Sequence, residues 1–306
     1  MLSRTDHLAQ QATLITPRLL QDWPLPAPSG SGKSSRGDVW VIGGARGTPG
    51  AAMLAGTAAL RVGAGRLTLA VAESVAVAVA VAIPECGIHP LPETSGGSVR
   101  GVVTGELADG VASCNAVLVG SGLDDPGNTA ALIESLLPAV GDRTTVVLDA
   151  YALGVLHEVA GVTDRWAGRL VLTPNTDELE RLLEAPGSVD GTGDLVGAVR
   201  QAADRYGAVV TCHNVIADPG GRLWQAEPNC VGLGTSGSGD VLGGVVLGLL
   251  GRGADPAQAA CWATYLHLMA GHRSTARFGT VGFLAGDLLT ELPGLLDESA
   301  PPTSHD

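Results

Sequence analysis

Short apolar runs alternate with longer segments of helical periodicity along most of the chain, and this alternation predicts the fold. The runs that we expect to form buried strands are 38–44, 66–71, 115–120, 144–148, 169–172 and 208–211. A segment with apolar residues at helical spacing follows nearly every one of them. Strands that alternate with helices usually form a parallel sheet covered on both faces. We therefore predict an α/β layered sandwich with a mostly parallel central sheet and helices on both sides.

One segment is ambiguous by its period alone. Val75–Ala82 alternates strictly between valine and alanine, which is the period of a strand. Neither of its faces is polar, however, and alanine favours helix. With Glu73 before it and Pro84 after it, we predict a buried helix. The remaining elements are a hairpin and further helices: strands 214–217 and 222–226, and helices 102–113, 241–251, 256–275 and 282–294.

The pattern divides the chain into three parts. We expect an N-terminal helix and connector over residues 1–37, a single main domain over 38–297, and a disordered tail over 298–306. The connector contains Gly30-Ser-Gly-Lys-Ser34, which partly matches a phosphate-binding P-loop. The match fails because Ala27 stands where that pattern has glycine, and because the stretch leads into a strand instead of into a helix.

Composition and charge narrow the possible partners. The chain of 306 residues has a formal net charge of −13 and a single lysine, Lys33. This acidity argues against nucleic acids and anionic membranes as partners. Any phosphate site must therefore use backbone amides, arginines or a metal. The five cysteines are scattered without a C-x-x-C pair, and we find no signal peptide or long apolar span, so we expect a cytoplasmic protein with reduced thiols.

The glycine-rich stretch Gly232–Asp240 is the strongest candidate for chemistry. It leads into an apolar segment long enough for a buried helix, and a helix N-terminus with unpaired amides binds anions. The amides of Gly237, Ser238 and Gly239 could hold a phosphate while Asp240 takes a proton from a substrate hydroxyl. Alternatively, Asp240 is only the N-cap of the helix. The local pattern favours neither interpretation.

Other candidates lie where the predicted strands end. Small or polar loops at 43–50, 120–127, 149–153 and 173–178 would meet at one edge of a parallel sheet, where α/β proteins bind ligands. Two polar candidates occur there, an amide–carboxylate pair and a single acid. Asn175 and Glu178 are spaced to orient a metal or its waters, or to cap a helix, and Asp149 is a second acid or an N-cap. A metal pair of His267 and His272 is disfavoured, because residues five apart share a helix face poorly.

Several segments together resemble a known family. Thr235–Asp240 with Asn175-x-x-Glu178 is similar to the ribokinase-like superfamily. Within it, the chain most closely resembles the ADP/ATP-dependent NAD(P)H-hydrate dehydratases. The segments that carry this resemblance are Val41–Ala52, Leu60–Thr68, Leu172-Thr-Pro174, Gly237–Gly244 and Tyr265-Leu-His267.

The resemblance implies a repair enzyme that restores NADH or NADPH from a hydrated nicotinamide ring. Asp240 would be the base, ADP (ATP in some members) the phosphoryl donor, and Mg²⁺ the metal, with Glu178 beside it. Ala51, Gly122 and Asn175 would line the substrate site, and Gly239 would contact the nucleotide. The resemblance also implies a homo-oligomer, commonly a tetramer.

The chain departs from the family pattern at the nucleotide side. Where the family has a Lys-Gly loop, the chain has Thr211-Cys-His-Asn214, so His213 and Asn214 are the nucleotide-side candidates. Asn175-Thr-Asp-Glu178 replaces His-Pro-Gly-Glu, and Tyr151 replaces an aspartate. Two alternative functions follow: a kinase of a small vitamin-precursor alcohol, and a non-catalytic nucleotide-binding protein.

Overall fold

The structure is a computed structural model that describes residues 12–27, 30, 32–189, 194–227 and 230–301. Residues 1–11 of the predicted N-terminal segment, Ser31 of the P-loop-like stretch and residues 302–306 of the predicted tail lie outside this set.

A single ten-stranded sheet forms the centre of the described chain. Its strands are β1 (Thr13–Leu14), β2 (Asp38–Ile42), β3 (Arg66–Ala72), β4 (Gly87–Leu91), β5 (Ala116–Val119), β6 (Thr145–Leu148), β7 (Leu170–Leu172), β8 (Val209–Cys212), β9 (Val215–Ala217) and β10 (Leu223–Gln225). The spatial order is β1-β10-β9-β8-β7-β6-β5-β2-β3-β4. Only the pairs β10–β9 and β9–β8 are antiparallel. The predicted mostly parallel sheet is confirmed.

Helices cover both faces of this sheet. They are α1 (Pro17–Asp22), α2 (Pro49–Arg61), α3 (Glu73–Ala82), α4 (Gly105–Ser113), α5 (Pro126–Ala139), α6 (Tyr151–Val155), α7 (Val162–Trp166), α8 (Thr176–Leu183), α9 (Leu195–Tyr206), α10 (Ser238–Gly251), α11 (Pro256–Phe278) and α12 (Ala285–Ser299). One core contains α2, α3, α10, α11 and α12, and the other contains α4 to α9. Successive strand residues contribute to opposite cores, as Leu118 and Val119 do, because side chains alternate across a sheet.

The helix starts follow local sequence signals. Proline occupies the first turn of α1, α2, α5 and α11, where its missing N–H leaves no hydrogen bond unmade. Asp125, Asp194 and Asp255 each accept hydrogen bonds from the backbone of the helix they precede, at 2.7–3.0 Å. Such boundaries are readable because the cap and the helix are neighbours in sequence.

Three expectations need correction. The edge strand β4 was not predicted; it contains Pro90, which strands tolerate only at edges. The helix at Val75–Ala82 exists, but it is not buried throughout, since Val77 and Val81 are each 78% exposed. Finally, α12 continues to Ser299, two residues into the predicted tail.

The N-terminal segment is joined to the main sheet over the residues that are described. β1 pairs in parallel with β10, and Trp23 stacks on Trp224 with ring centroids 6.0 Å apart. Gln258 and Trp262 both donate hydrogen bonds to the Trp23 carbonyl. The division of the chain at residue 37 stays a prediction. In the part of the chain described, no helix has both the length and the apolar character that a membrane span requires.

Candidate active site

The glycine-rich stretch ends in the N-terminus of α10. Gly237 occupies the N-cap position with φ +87°, and a Cβ built there would lie 2.5 Å from Leu54 Cδ1 on α2. A left-handed backbone in such close contact requires glycine. Two nearby amides are already bonded: Ser238 N donates to Thr235 O and Val241 N to Gly237 O, each at 3.2 Å.

The amides of Gly239 and Asp240 remain available at this end of α10. Neither donates a hydrogen bond to any acceptor within the described residues. They point along a helix of 14 residues, whose dipole places positive charge at this end. Free amides at a positive helix end are what an anion site requires, and here they belong to Gly239 and Asp240, because the predicted Ser238 amide is already engaged.

Asp240 is the third residue of α10, so its predicted alternative role as the N-cap is wrong. The carboxyl is partly buried, and this burial raises its pKa above the ordinary value. The fully buried Ser121 hydroxyl lies close enough to lower that pKa by a smaller amount, without a hydrogen bond of normal geometry. A carboxylate that is partly desolvated is a stronger base than one in water.

The loops after β2 and β5 meet beside this carboxyl. Gly122 has φ +76°, and a Cβ built on it would lie 2.3 Å from Thr48 O and 3.2 Å from Ala51 Cβ. Thr48 Oγ1 donates to Gly122 O at 2.8 Å, which ties the two loops together. Since Ser121 precedes Gly122 and lies next to Asp240, the structure brings Ala51, Gly122 and Asp240 to one place, as the sequence predicts.

Two further acids lie near Asp240. Glu178 and Asn175 form a reciprocal capping box at the start of α8, with both hydrogen bonds 2.9 Å long. The predicted cap role is thus confirmed for this pair. Of the two carboxyl oxygens of Glu178, only Oε2 accepts a hydrogen bond in this capping box. Burial raises the pKa of this carboxyl. Asp149 follows β6 and is not a cap, because the N-cap position of α6 belongs to Ala150, at φ +49°.

Asp149 is the most deeply buried of the three acids. Its Oδ1 accepts a hydrogen bond of 2.6 Å from Thr173 Oγ1, while its Oδ2 is buried without a partner in the described structure. Burial raises its pKa well above the ordinary value, and the Asp240 carboxylate raises it further. A Cβ built on Gly243 of α10 would lie 3.1 Å from Asp149 Oδ2, so the acid packs against the helix that carries Asp240.

A cleft of about 360 Å³ opens beside the anion site. Its polar wall contains Asn175, His213, Ser238 and Gly239, which the sequence assigns to substrate and nucleotide. Its apolar lining includes Leu233, Leu242 and Leu268. His213 reaches the cleft from the turn between β8 and β9, where its φ of +54° is strained for a residue other than glycine or asparagine.

Asn214 does not line this cleft. Its side-chain amide donates to Ala226 O at 3.1 Å and so closes the end of the β9–β10 hairpin. Conversely, three residues that the sequence analysis did not select belong to the site: Ser121 and Thr173, which contact the acids, and His267, which lines the cleft. Each had a sequence signal, because Ser121 and Thr173 lie in the loops 120–127 and 173–178 and His267 lies in the Tyr265-Leu-His267 motif.

Comparison with known proteins shows the family to which the chain belongs. The sequence profile of the NAD(P)H-hydrate dehydratases matches residues 39–294. The chain belongs to the NAD(P)H-hydrate dehydratase family. It is 39% identical to the ADP-dependent (S)-NAD(P)H-hydrate dehydratase of Xanthomonas campestris, over 92% of this chain and 96% of that protein. It covers only 52% of a longer family relative, the bifunctional NAD(P)H-hydrate repair enzyme of Moorella thermoacetica.

Solved structures confirm the predicted ribokinase-like fold. A ribokinase-like superfamily protein of Enterococcus faecalis superposes with a TM-score of 0.80 and 22% identity, covering 96% of this chain and 98% of its own. The ADP/ATP-dependent NAD(P)H-hydrate dehydratase of Bacillus subtilis, crystallised with ATP and Mg²⁺, gives 0.76 at 23% identity and covers 95% of this chain and 99% of its own. At these identities the likeness concerns the fold alone. The family placement rests on the sequence matches.

Proposed function

We propose that the chain is an ADP-dependent NAD(P)H-hydrate dehydratase, a lyase that restores NADH or NADPH from the hydrated cofactor. One observation carries the proposal: a partly desolvated carboxylate, Asp240, stands in the first turn of α10 beside two amides that have no acceptor in the described structure. The name of the Xanthomonas relative supports ADP as the donor.

The reaction follows from the positions of these groups. Asp240 takes the proton of the hydroxyl on the nicotinamide ring, and the hydroxyl oxygen attacks the terminal phosphorus of ADP. The new O–P bond forms as the bond to the AMP oxygen breaks. The Gly239 and Asp240 amides stabilise the negative charge that develops on the transferring group. Phosphate then leaves with the C–O bonding pair, and loss of a proton from the adjacent carbon re-forms the double bond.

The two sides of Asp240 have different ligands in this proposal. Ala51 and Gly122 contact the hydrated ring, because their loops lie beside the carboxyl. Asn175, His213, Ser238 and Gly239 line the nucleotide cleft. Asn214 supports the hairpin that presents His213 instead of touching the nucleotide.

The acidic side chains at the site could hold Mg²⁺ only together with the phosphate groups of a bound nucleotide. No group of three side chains able to hold a metal occurs in the described part of the chain. Glu178, however, keeps Oε1 free of hydrogen bonds there, and Mg²⁺ commonly uses one carboxylate, waters and phosphate oxygens. When bound, the ion would neutralise phosphate charge beside Glu178.

The decisive assay incubates hydrated NADH with ADP and Mg²⁺ and follows the absorbance of reduced nicotinamide. We expect the unaltered protein to restore this absorbance. In Asp240→Asn the rate should fall about 10³-fold or more, because asparagine has the shape of aspartate but cannot act as a base. Asp164→Asn, an exposed acid on α7, is the matched control and keeps full activity. ATP in place of ADP tests the donor preference.

Two results of this assay would favour a different function. The Asn175-x-x-Glu178 motif, which is closer to the kinases of the superfamily, makes phosphorylation of a vitamin-precursor alcohol the second candidate. A stable phosphorylated product without nicotinamide recovery would indicate that kinase. Nucleotide binding without turnover of either substrate would indicate a non-catalytic protein.

The assembly and the compartment are part of the same proposal. Family resemblance favours a homo-oligomer, commonly a tetramer, in the cytoplasm. Light scattering coupled to size exclusion measures the assembly directly: a mass near four chains of 30.8 kDa is expected, and a monomeric mass contradicts the expectation.

A further inference from the structure

The buried contact between Ser238 and His267 joins the anion site to α11. His267 Nε2 lies 2.9 Å from Ser238 Oγ and 3.0 Å from the Ser238 carbonyl oxygen. Both residues are more than nine-tenths buried, and both line the nucleotide cleft. One ring nitrogen therefore serves two oxygens of the same residue, the first residue of α10.

The carbonyl oxygen decides which tautomer the ring adopts. A carbonyl can only accept, so the 3.0 Å contact requires a proton on Nε2. With the proton on Nδ1, two lone pairs would face each other across that distance. Burial lowers the pKa of His267 to about 4, and the bond to the Ser238 carbonyl opposes this shift, so the ring is neutral at ordinary pH.

This tautomer determines what the Ser238 hydroxyl can do. Because Nε2–H points at both oxygens, Ser238 Oγ accepts from the ring, and its own proton remains free. No other hydrogen bond of this hydroxyl exists within the described residues. The Ser238 amide is already engaged with Thr235 O. The hydroxyl is thus the one donor that Ser238 can offer to a ligand in the cleft.

We propose that the Ser238 hydroxyl donates a hydrogen bond to a phosphoryl oxygen of the nucleotide, and that His267 is a positioning residue that keeps this hydroxyl a donor through its Nε2–H tautomer. The inference rests on the proposed function for the identity of the ligand. It places a third donor beside the Gly239 and Asp240 amides, and it explains why a histidine stands in the apolar run of α11. Without this ring no described group would donate to the hydroxyl oxygen and leave its proton for the phosphate.

The first test compares matched serine variants. In Ser238→Ala only the hydroxyl is lost, and we expect kcat to fall about 100-fold, as for one donor of an oxyanion site, with the KM for hydrated NADH unchanged. Ser274→Ala on α11 is the control, because Ser274 is equally buried but makes no hydrogen bond in the described structure. Equal kcat and equal ADP affinity in both variants would overturn the proposal.

The second test separates positioning from folding. His267→Gln keeps an N–H donor near Nε2 and should retain most of the activity, whereas His267→Leu should match Ser238→Ala. The double variant Ser238→Ala/His267→Leu should be no slower than Ser238→Ala by more than about 2-fold, because residues that act as a unit are not additive. His272→Gln, exposed on the same helix, is the control. Additive losses, or no rescue by glutamine, would refute the positioning role.

A third measurement does not depend on turnover. Neutron diffraction from the deuterated protein should show deuterium on His267 Nε2 and the Ser238 hydroxyl deuterium directed into the cleft. Deuterium on Nδ1, with the hydroxyl directed at Nε2, would refute the inference even if the dehydratase assay succeeds. If that assay fails while the neutron map and weaker ADP binding by Ser238→Ala agree with expectation, the ligand contact stands and only the proposed reaction falls.

Discussion

The close contact between α2 and α10 allows a direct test of how the active-site helix is held in place. A Cβ built on Gly244 of α10 would lie 2.1 Å from Ala55 O and 2.7 Å from Ala55 C and Cα on α2. All three are backbone atoms, so no side chain can rotate away. The helices would have to separate by about 0.9 Å before the Cβ reached 3.0 Å, still tighter than a normal van der Waals contact.

Gly244→Ala should therefore destabilise the fold and impair the site together. Overpacking of this kind lowers the free energy of unfolding by about 3 kcal/mol at the upper end of its usual range. The better helix propensity of alanine offsets about 1 kcal/mol of this loss. We expect a net loss of about 2 kcal/mol and a fall of about 3 °C in Tm. Because α10 also carries Asp240 and its amides, a shift approaching 1 Å should lower kcat by about 10- to 100-fold.

The control is the same substitution where space exists. Gly294 lies in the interior of α12 and is exposed, and a Cβ there would meet only Arg273 Nη1 at 3.7 Å. Gly294→Ala should be neutral or stabilising by up to about 1 kcal/mol. Urea denaturation followed by circular dichroism measures both variants. If Gly244→Ala is as stable as the unaltered protein, or if Gly294→Ala loses more, the account of the α2–α10 contact is wrong.

Three further predictions concern the loops and acids around the site. Because burial raises the pKa of the Asp240 base, kcat/KM should rise with pH along an acid limb centred above the ordinary value of 3.8, and a limb at or below 3.8 would contradict this. The raised pKa of Asp149 means that its contribution to stability is complete below 3.8 and is lost as pH rises toward its folded-state pKa. Asp149→Asn, which can still accept from Thr173, should therefore flatten the decline in urea midpoint over that range; an unchanged slope counts against the buried acid. Gly122→Ala would force a left-handed alanine against Thr48 O, 2.3 Å away, and should raise the KM for hydrated NADH while leaving the KM for ADP nearly unchanged, as steady-state kinetics with each substrate varied will show.

Much of the fold is readable from the sequence because its signals are local. A run such as Ala116–Val119 needs only its neighbours to be recognised as a buried strand, and Leu195–Tyr206 is bounded by a capping aspartate and a terminal glycine. The Val75–Ala82 segment is helical despite its alternating pattern, because alanine's helix preference outweighs the apparent strand period. The strand β4 escaped prediction because Pro90 is unfavourable in most strands and tolerated only at a sheet edge.

The site was predictable in part. The glycine-rich turn identified Asp240 and the anion-binding helix, since the chemistry of that site lies within a few consecutive residues. The sequence does not show which amides of the turn are free, because this depends on the hydrogen bond to the Thr235 carbonyl. Nor does it show that the Asn214 side chain bonds to the Ala226 carbonyl of its own hairpin.

By itself, the sequence determined the layered α/β architecture, the family and the carboxylate in the first turn of a glycine-led helix, because periodicity and short contiguous motifs carry this information. The tertiary structure alone decided that Asp149 is buried against α10, and that His267 contacts Ser238, 29 residues away in the sequence. The physical reason is the same in each case: pKa values, tautomers and close backbone contacts depend on groups that are distant in sequence and adjacent only when the sheet and its two helical layers have formed.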